Sequence, residues 1–432
     1  MRSKIVFEFA VAVPVLILTL TITTILCAAQ AAVGQEQVLY SFFDPGGTVS
    51  PVGGVISDVS GNLYGTTLYG GANGVGMVFE LSPTASGWQE TILHSFNTDR
   101  IDGFIATAGL IFDAAGNLYG TTQFGGTGSC TNGFGCGTVF ELSPSASGEW
   151  TETILHDFTG ADGWEVHAGL TMDAAGKLYG TTVVGGAYNQ GTVYQLSPAA
   201  GGHWTTNVLH HFTGGTDGGV PYGGVILDAN GNVYGMTSAG GGTTSACQYG
   251  CGVVFELTPT HAADGHWTGH VLHNFGKLSG DGHYPSAGLV FDAAGNLYGT
   301  TSAGGGSGHI NGGIVFELTP IGSGKWAEKI VHNFNELAND GVGPSGNLIF
   351  DASGNLYGAT IGGGSAGHGT AFELTPATGG IWTETILHSF SDQGTDGYDP
   401  VSGLALYASG NLFGTTDQGG DFNQGTVFEI QR

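Results

Sequence analysis

Basic residues are nearly missing from this sequence: 8 Lys and Arg stand against 35 Asp and Glu in 432 residues, for a formal net charge of -27. A chain this poor in cations cannot neutralise phosphates, which excludes nucleic acid and anionic membrane surfaces as partners. The acidic residues form no runs, so the charge reads as solubility for an exported protein. Charged residues of any kind make up only 10% of the chain. Nucleophile motifs and phosphate-binding loops are absent, because the Gly-rich segments lead into strand-like runs rather than helices. No stretch after the N-terminus has helical length and periodicity. One long apolar run exists, Phe9 to Cys27, preceded by Arg2 and Lys4 and followed by Ala28-Ala29-Gln30-Ala31-Ala32. That order is the pattern of a secretory signal peptide over residues 1–32, cut after Ala31 or Ala32. The run is also long enough to span a bilayer, so an uncleaved anchor remains the alternative.

What the sequence has in excess is glycine, 82 residues, together with 41% hydrophobic and 11% aromatic residues. This mixture suits many tight turns between short buried strands. The turns recur. Gly-Asn-Leu-Tyr-Gly-Thr-Thr, or a close variant, begins at Gly61, Gly116, Gly176, Gly231, Gly295, Gly354 and Gly410, spaced by 55, 60, 55, 64, 59 and 56 residues. A fixed period of this size marks a repeat architecture and makes residues 33–432 one domain.

Each unit holds four strand-like segments. In the second unit these are residues 109–113, 116–122, 137–142 and 150–158, rich in β-branched and aromatic residues, with Pro between segments rather than within them. Four antiparallel strands per unit and seven units predict a seven-bladed β-propeller. The last unit lacks its fourth segment, while Gln37-Val38-Leu39-Tyr40-Ser41-Phe42 aligns with Thr91-Ile92-Leu93-His94-Ser95-Phe96. The N-terminal strand is therefore expected to complete the seventh blade and close the ring, leaving no long edge.

The succession Gly-Asn-Leu-Tyr-Gly-Thr-Thr, Gly-Gly, Gly-Thr-Val-Phe-Glu-Leu-Ser-Pro resembles the tandem repeat of bacterial extracellular GloVer (Gloeobacter/Verrucomicrobium-type) proteins over about residues 35–432. The resemblance implies an exported bacterial protein. It brings no established activity and no catalytic residues. Members often carry a C-terminal surface-sorting segment; none follows the last unit here, so anchoring by that route is not expected.

Several residue types with chemical potential recur once per unit. Besides Cys27 there are Cys130 with Cys136 and Cys247 with Cys251, in the two longest loops between segments two and three: 14 residues against 8 in four other units. Local structural disulfides are expected in an oxidising compartment. A zinc site would need the two pairs to converge from units two apart. The fourth segments carry His94, His156, His210, His273, His332 and His388, with Tyr40 in the seventh place, and open on Trp88, Trp150, Trp204, Trp267, Trp326 and Trp382. So regular a series reads as structure: the histidines hydrogen-bonded within each blade, the tryptophans as packing anchors. The third-segment glutamates, such as Glu80 and Glu256, are expected to pair with neighbouring Thr or His, and the Asp ending segment one, such as Asp113, to cap its turn.

A second Asp series, Asp102, Asp162, Asp217, Asp281, Asp340 and Asp396, lies in Asp-Gly turns between units. These connections and the segment two-to-three loops emerge on one face of a propeller, where loops of varied length on a rigid scaffold provide binding. That Asp series, with Glu165, His167 and His283, makes a candidate ligand face. Calcium at the Asp-Gly turns is the one cofactor considered, without a twelve-residue calcium loop to support it; otherwise no cofactor and no metal are expected. Arg100 and His309 also break the repeat but are scattered. The function expected is a non-catalytic binding or scaffolding module, secreted to the periplasm or cell exterior, monomeric, with a glycan or protein ligand. The alternatives are a propeller enzyme (a metal-dependent lactonase, a lyase or a glycan-cleaving enzyme) and a purely structural surface protein.

Overall fold

The computed structural model describes residues 34–130, 133–244, 247–260, 265–278, 280–306, 312–335 and 339–432. The signal peptide expected over 1–32, and His309, lie outside the described residues. Seven four-stranded antiparallel sheets stand in a ring as the blades of a β-propeller. Blade 1 runs from strand A (Val55–Ser57) through B (Leu63–Thr67) and C (Met77–Thr84) to D (Gly87–Ser95). Blade 2 repeats it with Ile111–Phe112, Leu118–Thr122, Thr138–Pro144 and Trp150–Asp157. The C and D strands are Thr192–Pro198 and Trp204–His211 in blade 3, Val253–Pro259 and Trp267–Asn274 in blade 4, Ile314–Gly322 and Lys325–Asn333 in blade 5, and Thr370–Pro376 and Trp382–Ser389 in blade 6. In blade 7, Ala405–Leu406, Leu412–Thr416 and Thr426–Gln431 take the N-terminal Gln35–Ser41 as strand D, paired antiparallel from Gln35 opposite Gln431 to Ser41 opposite Thr426. No α-helix occurs among the described residues; a short 3-10 turn spans Ala200–Gly202.

The recurring motif is strand B with its entry turn. Asp113 Oδ1 accepts the backbone N–H of Ala115 and Asn117, and Oδ2 accepts the Asn117 amide and the Tyr119 hydroxyl, so the Asp series of segment one does cap the A–B turn. The glycine inside strand B faces the strand C aromatic: a Cβ on Gly65 would lie 2.5 Å from the Phe79 ring. The first Thr ties blades together, Thr66 donating to Ala108 O at 2.8 Å and Thr121 to Ala168 O at 3.0 Å in the next blade. The second Thr closes its own loop, as Thr122 does on Phe124 O.

The core lies between blades, in seven hydrophobic clusters, one per seam. Each seam centres on an edge-to-face ring pair, the residue after one blade's D strand against the next blade's C strand, from Phe42 and Phe79 to Phe390 and Phe428, at 5.0–5.3 Å. The strand D tryptophans pack across the seams, Trp150 on Tyr64 and Trp204 on Tyr119, both at 6.3 Å. Aromatic pairs of this geometry add about 0.5–1.5 kcal/mol beyond the area they bury. The strand C glutamates find partners on their own sheets: Tyr234 donates to Glu256 at 2.7 Å, and Thr319 to Glu317 at 3.3 Å. Both disulfides are formed, Cys130–Cys136 and Cys247–Cys251, with Cα atoms 5.3 and 5.2 Å apart.

Candidate functional site

Two rings of side chains have the chemistry to do more than hold the sheets, one in the seams and one at the mouth of the central channel. The seam ring begins with a bulge. In every blade the C–D register slips near the end of strand D, as where Val139 pairs with His156 but Phe140 with Ile154. A bulge re-aims the side chains around it, and here it turns the His toward the following connection. His94, His156, His210, His273, His332 and His388 meet Asp102, Asp162, Asp217, Asp281, Asp340 and Asp396 through Nε2 at 2.9–3.4 Å. The histidines thus bond out of their blades rather than within them. The Asp series of the expected ligand face is engaged in the same way, also accepting backbone amides such as Asn97 and Thr159, and Asp102, Asp281 and Asp340 are buried. Those three are shut into the seams, while Asp162, Asp217 and Asp396 pair with their histidines and stay part-exposed.

In four seams a glutamate from the next blade's strand D joins the pair: Glu152 with His94 and Asp102, Glu328 with His273 and Asp281, Glu384 with His332 and Asp340, and Glu36 with His388 and Asp396. Thr206 and Gly269 stand at this position in blades 3 and 4, and Glu90 of blade 1 takes the Tyr40 hydroxyl at 2.9 Å. Burial pushes the Glu152 carboxyl up to about 8 and those of Glu36, Glu328 and Glu384 to about 7. Glu152 Oε1 and Asp102 Oδ1 are both buried without a hydrogen-bond partner, and a proton on Glu152 supplies the donor they lack. Burial opposes a proton on His94, but the Asp102 and Glu152 carboxylates hold its pKa above the ordinary value. Three donors per seam, one an imidazole nitrogen, fall short of the six to eight oxygens calcium takes.

The second ring surrounds the channel, a cavity of about 470 Å³ lined by all seven blades. The connections between blades and the B–C loops do share one face: Gly103–Phe104 pairs with Phe124–Gly125, and Trp164 with Val184. One residue per connection, Ser50, Ile105, Glu165, Val220, Tyr284, Gly343 or Asp399, is left-handed with φ between +55° and +66°. Its backbone clamps two blades, as when Ile105 N–H donates to Val75 O at 3.0 Å and Ile105 O accepts Gln123 N–H at 2.9 Å. Six of these seven are not glycine, in a chain that places glycine freely, and each non-glycine residue there costs about 1–2 kcal/mol. Strain of this kind gathers at functional sites.

Two residues further on, the chain reaches the channel mouth with Val52, Thr107, His167, Tyr222, Ser286 and Val401; in blade 6 Ser345 turns aside to Pro400 O, and Gly346 and Asn347 form the lining. His167 and Tyr222 are in ring contact at 5.4 Å. Burial alone lowers the His167 pKa to about 4, so the imidazole is neutral. Among the described residues the lining holds this one imidazole and no carboxylate, so it lacks the pairing of acid and base that general catalysis uses.

Of the three irregular residues singled out from the sequence, only His167 reaches the channel. Glu165 belongs to the left-handed ring, and burial raises its pKa. His283 pairs with Ala303 outside the lining. Sequence reasoning missed Tyr222 and Asn347. Asn347 replaces the glycine found at Gly54, Gly109, Gly169, Gly224, Gly288 and Gly403, the only break in that series, and its Oδ1 accepts Gly288 N–H at 2.6 Å.

Similarity to known proteins bears on the fold and the family. The extracellular domain of a protein described as a hybrid two-component system of B. thetaiotaomicron superposes with TM-score 0.54 at 12% identity, covering 91% of this chain and 39% of that one. PorZ, a surface component of the type-IX secretion system of Porphyromonas gingivalis, gives 0.50 at 14%, covering 87% and 46%. A Bacteroides uniformis protein described as a 6-phosphogluconolactonase gives 0.50 at 12%, covering 82% and 88%. The chain thus spans less than half the length of two of these three proteins. At such identities the likeness is one of fold. No helix among the described residues is long and apolar enough to cross a membrane, and the two disulfides fit an oxidising compartment. No curated protein sequence matches. The Gloeobacter/Verrucomicrobia repeat matches residues 26–247 and 241–432, and the chain belongs to that family.

Proposed function

We propose that this protein is an exported, non-catalytic binding module that holds an extracellular polysaccharide or protein on its loop-rich face, at the mouth of the channel. The observation that carries this reading is where variation is allowed. Strand positions repeat nearly unchanged in seven blades, whereas the mouth carries Val52, Thr107, His167, Tyr222, Ser286, Asn347 and Val401. Different side chains on identical supports are what recognition requires. Export rests on the signal peptide at residues 1–32, with cleavage leaving residues 33–432 as a monomeric domain.

The exposed aromatics add support. Phe43, Tyr69, Phe134, Tyr188, Tyr222, Tyr249, Tyr284 and Phe422 are the exposed aromatic side chains among the described residues, and all eight sit in interblade connections or B–C loops. Aromatic residues concentrate in binding surfaces. The test is saturable binding of the exported chain to extracellular polymers, with Thr107→Ala, His167→Ala and Tyr222→Ala combined. Binding should fall at least tenfold with the cooperative melting transition kept, slightly lowered by loss of the Thr107 bond to His167 O. Full binding by that triple variant would place the ligand elsewhere.

A further inference from the structure

We infer that the ligand of this face is an uncharged polysaccharide, one sugar of which stacks on Tyr222 at the channel mouth and hydrogen-bonds to His167 and Asn347. The inference rests on the binding role proposed above and narrows it to one chemistry.

Three observations converge on it. The first is charge. In the loops of this face the cations among the described residues are Arg100 and Lys277, against exposed carboxylates such as Asp99, Asp392 and Asp421. A uronate, sulfated or phosphorylated polymer would meet its own sign there. The second is the kind of polar group at the mouth. His167 and Tyr222 have no side-chain hydrogen-bond partner among the described residues, and the Asn347 amide has only its oxygen engaged. The neutral imidazole offers one donor and one acceptor, the phenol both, and the amide Nδ2 two donors. Neutral groups that both give and take hydrogen bonds match hydroxyls better than they match ions.

The third is shape. The channel, about 470 Å³ and floored by glycine backbone, is the size of a small-ligand pocket. The exposed rings on this face are spread over blades 1, 2, 3, 4 and 7 and the connection into blade 5, and only Phe43 and Phe422 among them are in ring contact, at 4.7 Å. A protein partner is held by a packed central cluster of anchors. Separate aromatic platforms around a neutral polar centre suit a chain whose every unit has a C–H face and a hydroxyl rim, which is what a sugar ring presents.

The experiment is affinity electrophoresis of the exported chain through gels containing glucomannan or xyloglucan as uncharged probes, and polygalacturonate or alginate as anionic ones. Retardation by an uncharged polymer is expected, weakened roughly tenfold by Tyr222→Ala and by His167→Ala, and kept by Tyr222→Trp. Tyr222 is exposed, so its replacement leaves the fold intact, which a melting curve checks. Retardation by the anionic gels alone, or by uncharged gels equally in all variants, would overturn the inference. If no polysaccharide binds while the triple mouth variant loses binding to a protein, the inference fails but the binding role stands.

Discussion

The seams and the channel mouth are each built from one residue per blade, yet they obey opposite rules. Around the seams His recurs in six blades and meets the same Asp partner each time. Around the mouth, residues on equally regular supports are apolar, hydroxylic, aromatic or, at His167, a neutral imidazole. The seam side chain has to match a bulged strand on one side and a buried carboxylate on the other, so its identity is fixed by its neighbours. The mouth side chain has a fixed backbone and an open front. Repetition therefore marks what builds this ring, and its failure marks where the ring meets something else.

If the seams carry the stability, the most severe loss should come from opening one. Deleting Gln35 to Phe43 removes the strand paired with the outer edge of Thr426–Gln431, and with it Phe42, whose ring meets Phe79. Loss of the cooperative unfolding transition is expected in calorimetry. A melting temperature equal to that of the intact chain would refute ring closure.

A single seam ring comes next. Phe372 is fully buried, faces Phe334 at 5.2 Å and is not part of the channel lining. Phe372→Ala should destabilise by about 3–5 kcal/mol in chemical denaturation. The same change at exposed Phe134, on the loop face, should fall within about 0.5 kcal/mol. Equal losses at the two positions would break the division between the regions.

The acid-rich seams predict a pH dependence that the mouth does not. Glu152 faces His94, Asp102 and Asp99, and burial lifts its carboxyl from the ordinary 4.5 to about 8. The folded state thus binds this proton more tightly than the unfolded chain does. Its stabilising contribution is complete below pH 4.5 and is lost as pH rises through about 8. Glu152→Gln keeps a donor toward Asp102 and removes the ionisation, so at pH 9 the variant should be more stable by on the order of 2 kcal/mol, and its stability should fall less between pH 5 and 9. Thr206→Ala, in a seam without this glutamate, should leave that slope unchanged. Parallel pH profiles for Glu152→Gln and the parent would remove the proton from the seam.

The fold was legible because it is written seven times. The strand B motif, the missing fourth segment after Glu429 and the matching stretch at Gln37 give blade number and closure before any coordinate. The disulfides followed from the cysteine pairs sitting in the two longest B–C loops. The partner of His94 was not legible, since a bulge between Val78 and Phe79 shifts the register by one residue and directs the imidazole out of the blade. A period-two reading of the strand has no means of placing that slip. For the same reason the Asp-Gly carboxylates, which look like surface turn residues, are found paired with the seam histidines, three of them buried. Tyr222 and Asn347 were overlooked because they sit in a segment that reads as connection, and only the ring geometry shows that seven such segments surround one channel.

The smallest expected effect separates the regions most directly, because it carries opposite signs for stability and binding. Val220 is left-handed at φ 59°, a conformation that a β-branched side chain strongly disfavours. Its N–H donates to Gln190 O at 2.8 Å and its carbonyl accepts Ser238 N–H at 3.1 Å, backbone contacts open to glycine; Gly343, at the equivalent place in blade 6, makes the first of them, to Gly312 O at 2.8 Å. Val220→Gly should relieve the strain and, after the greater freedom of glycine in the unfolded chain is subtracted, raise stability by up to about 1 kcal/mol. The side chain lies two residues before Tyr222, so loosening its connection should also weaken polysaccharide binding. A rise in the denaturation midpoint together with a fall in affinity is the signature of a residue retained for the mouth at the expense of the fold. Should Val220→Gly lose stability instead, the valine is a seam residue by function, and the boundary between the two regions moves inward to the channel lining itself.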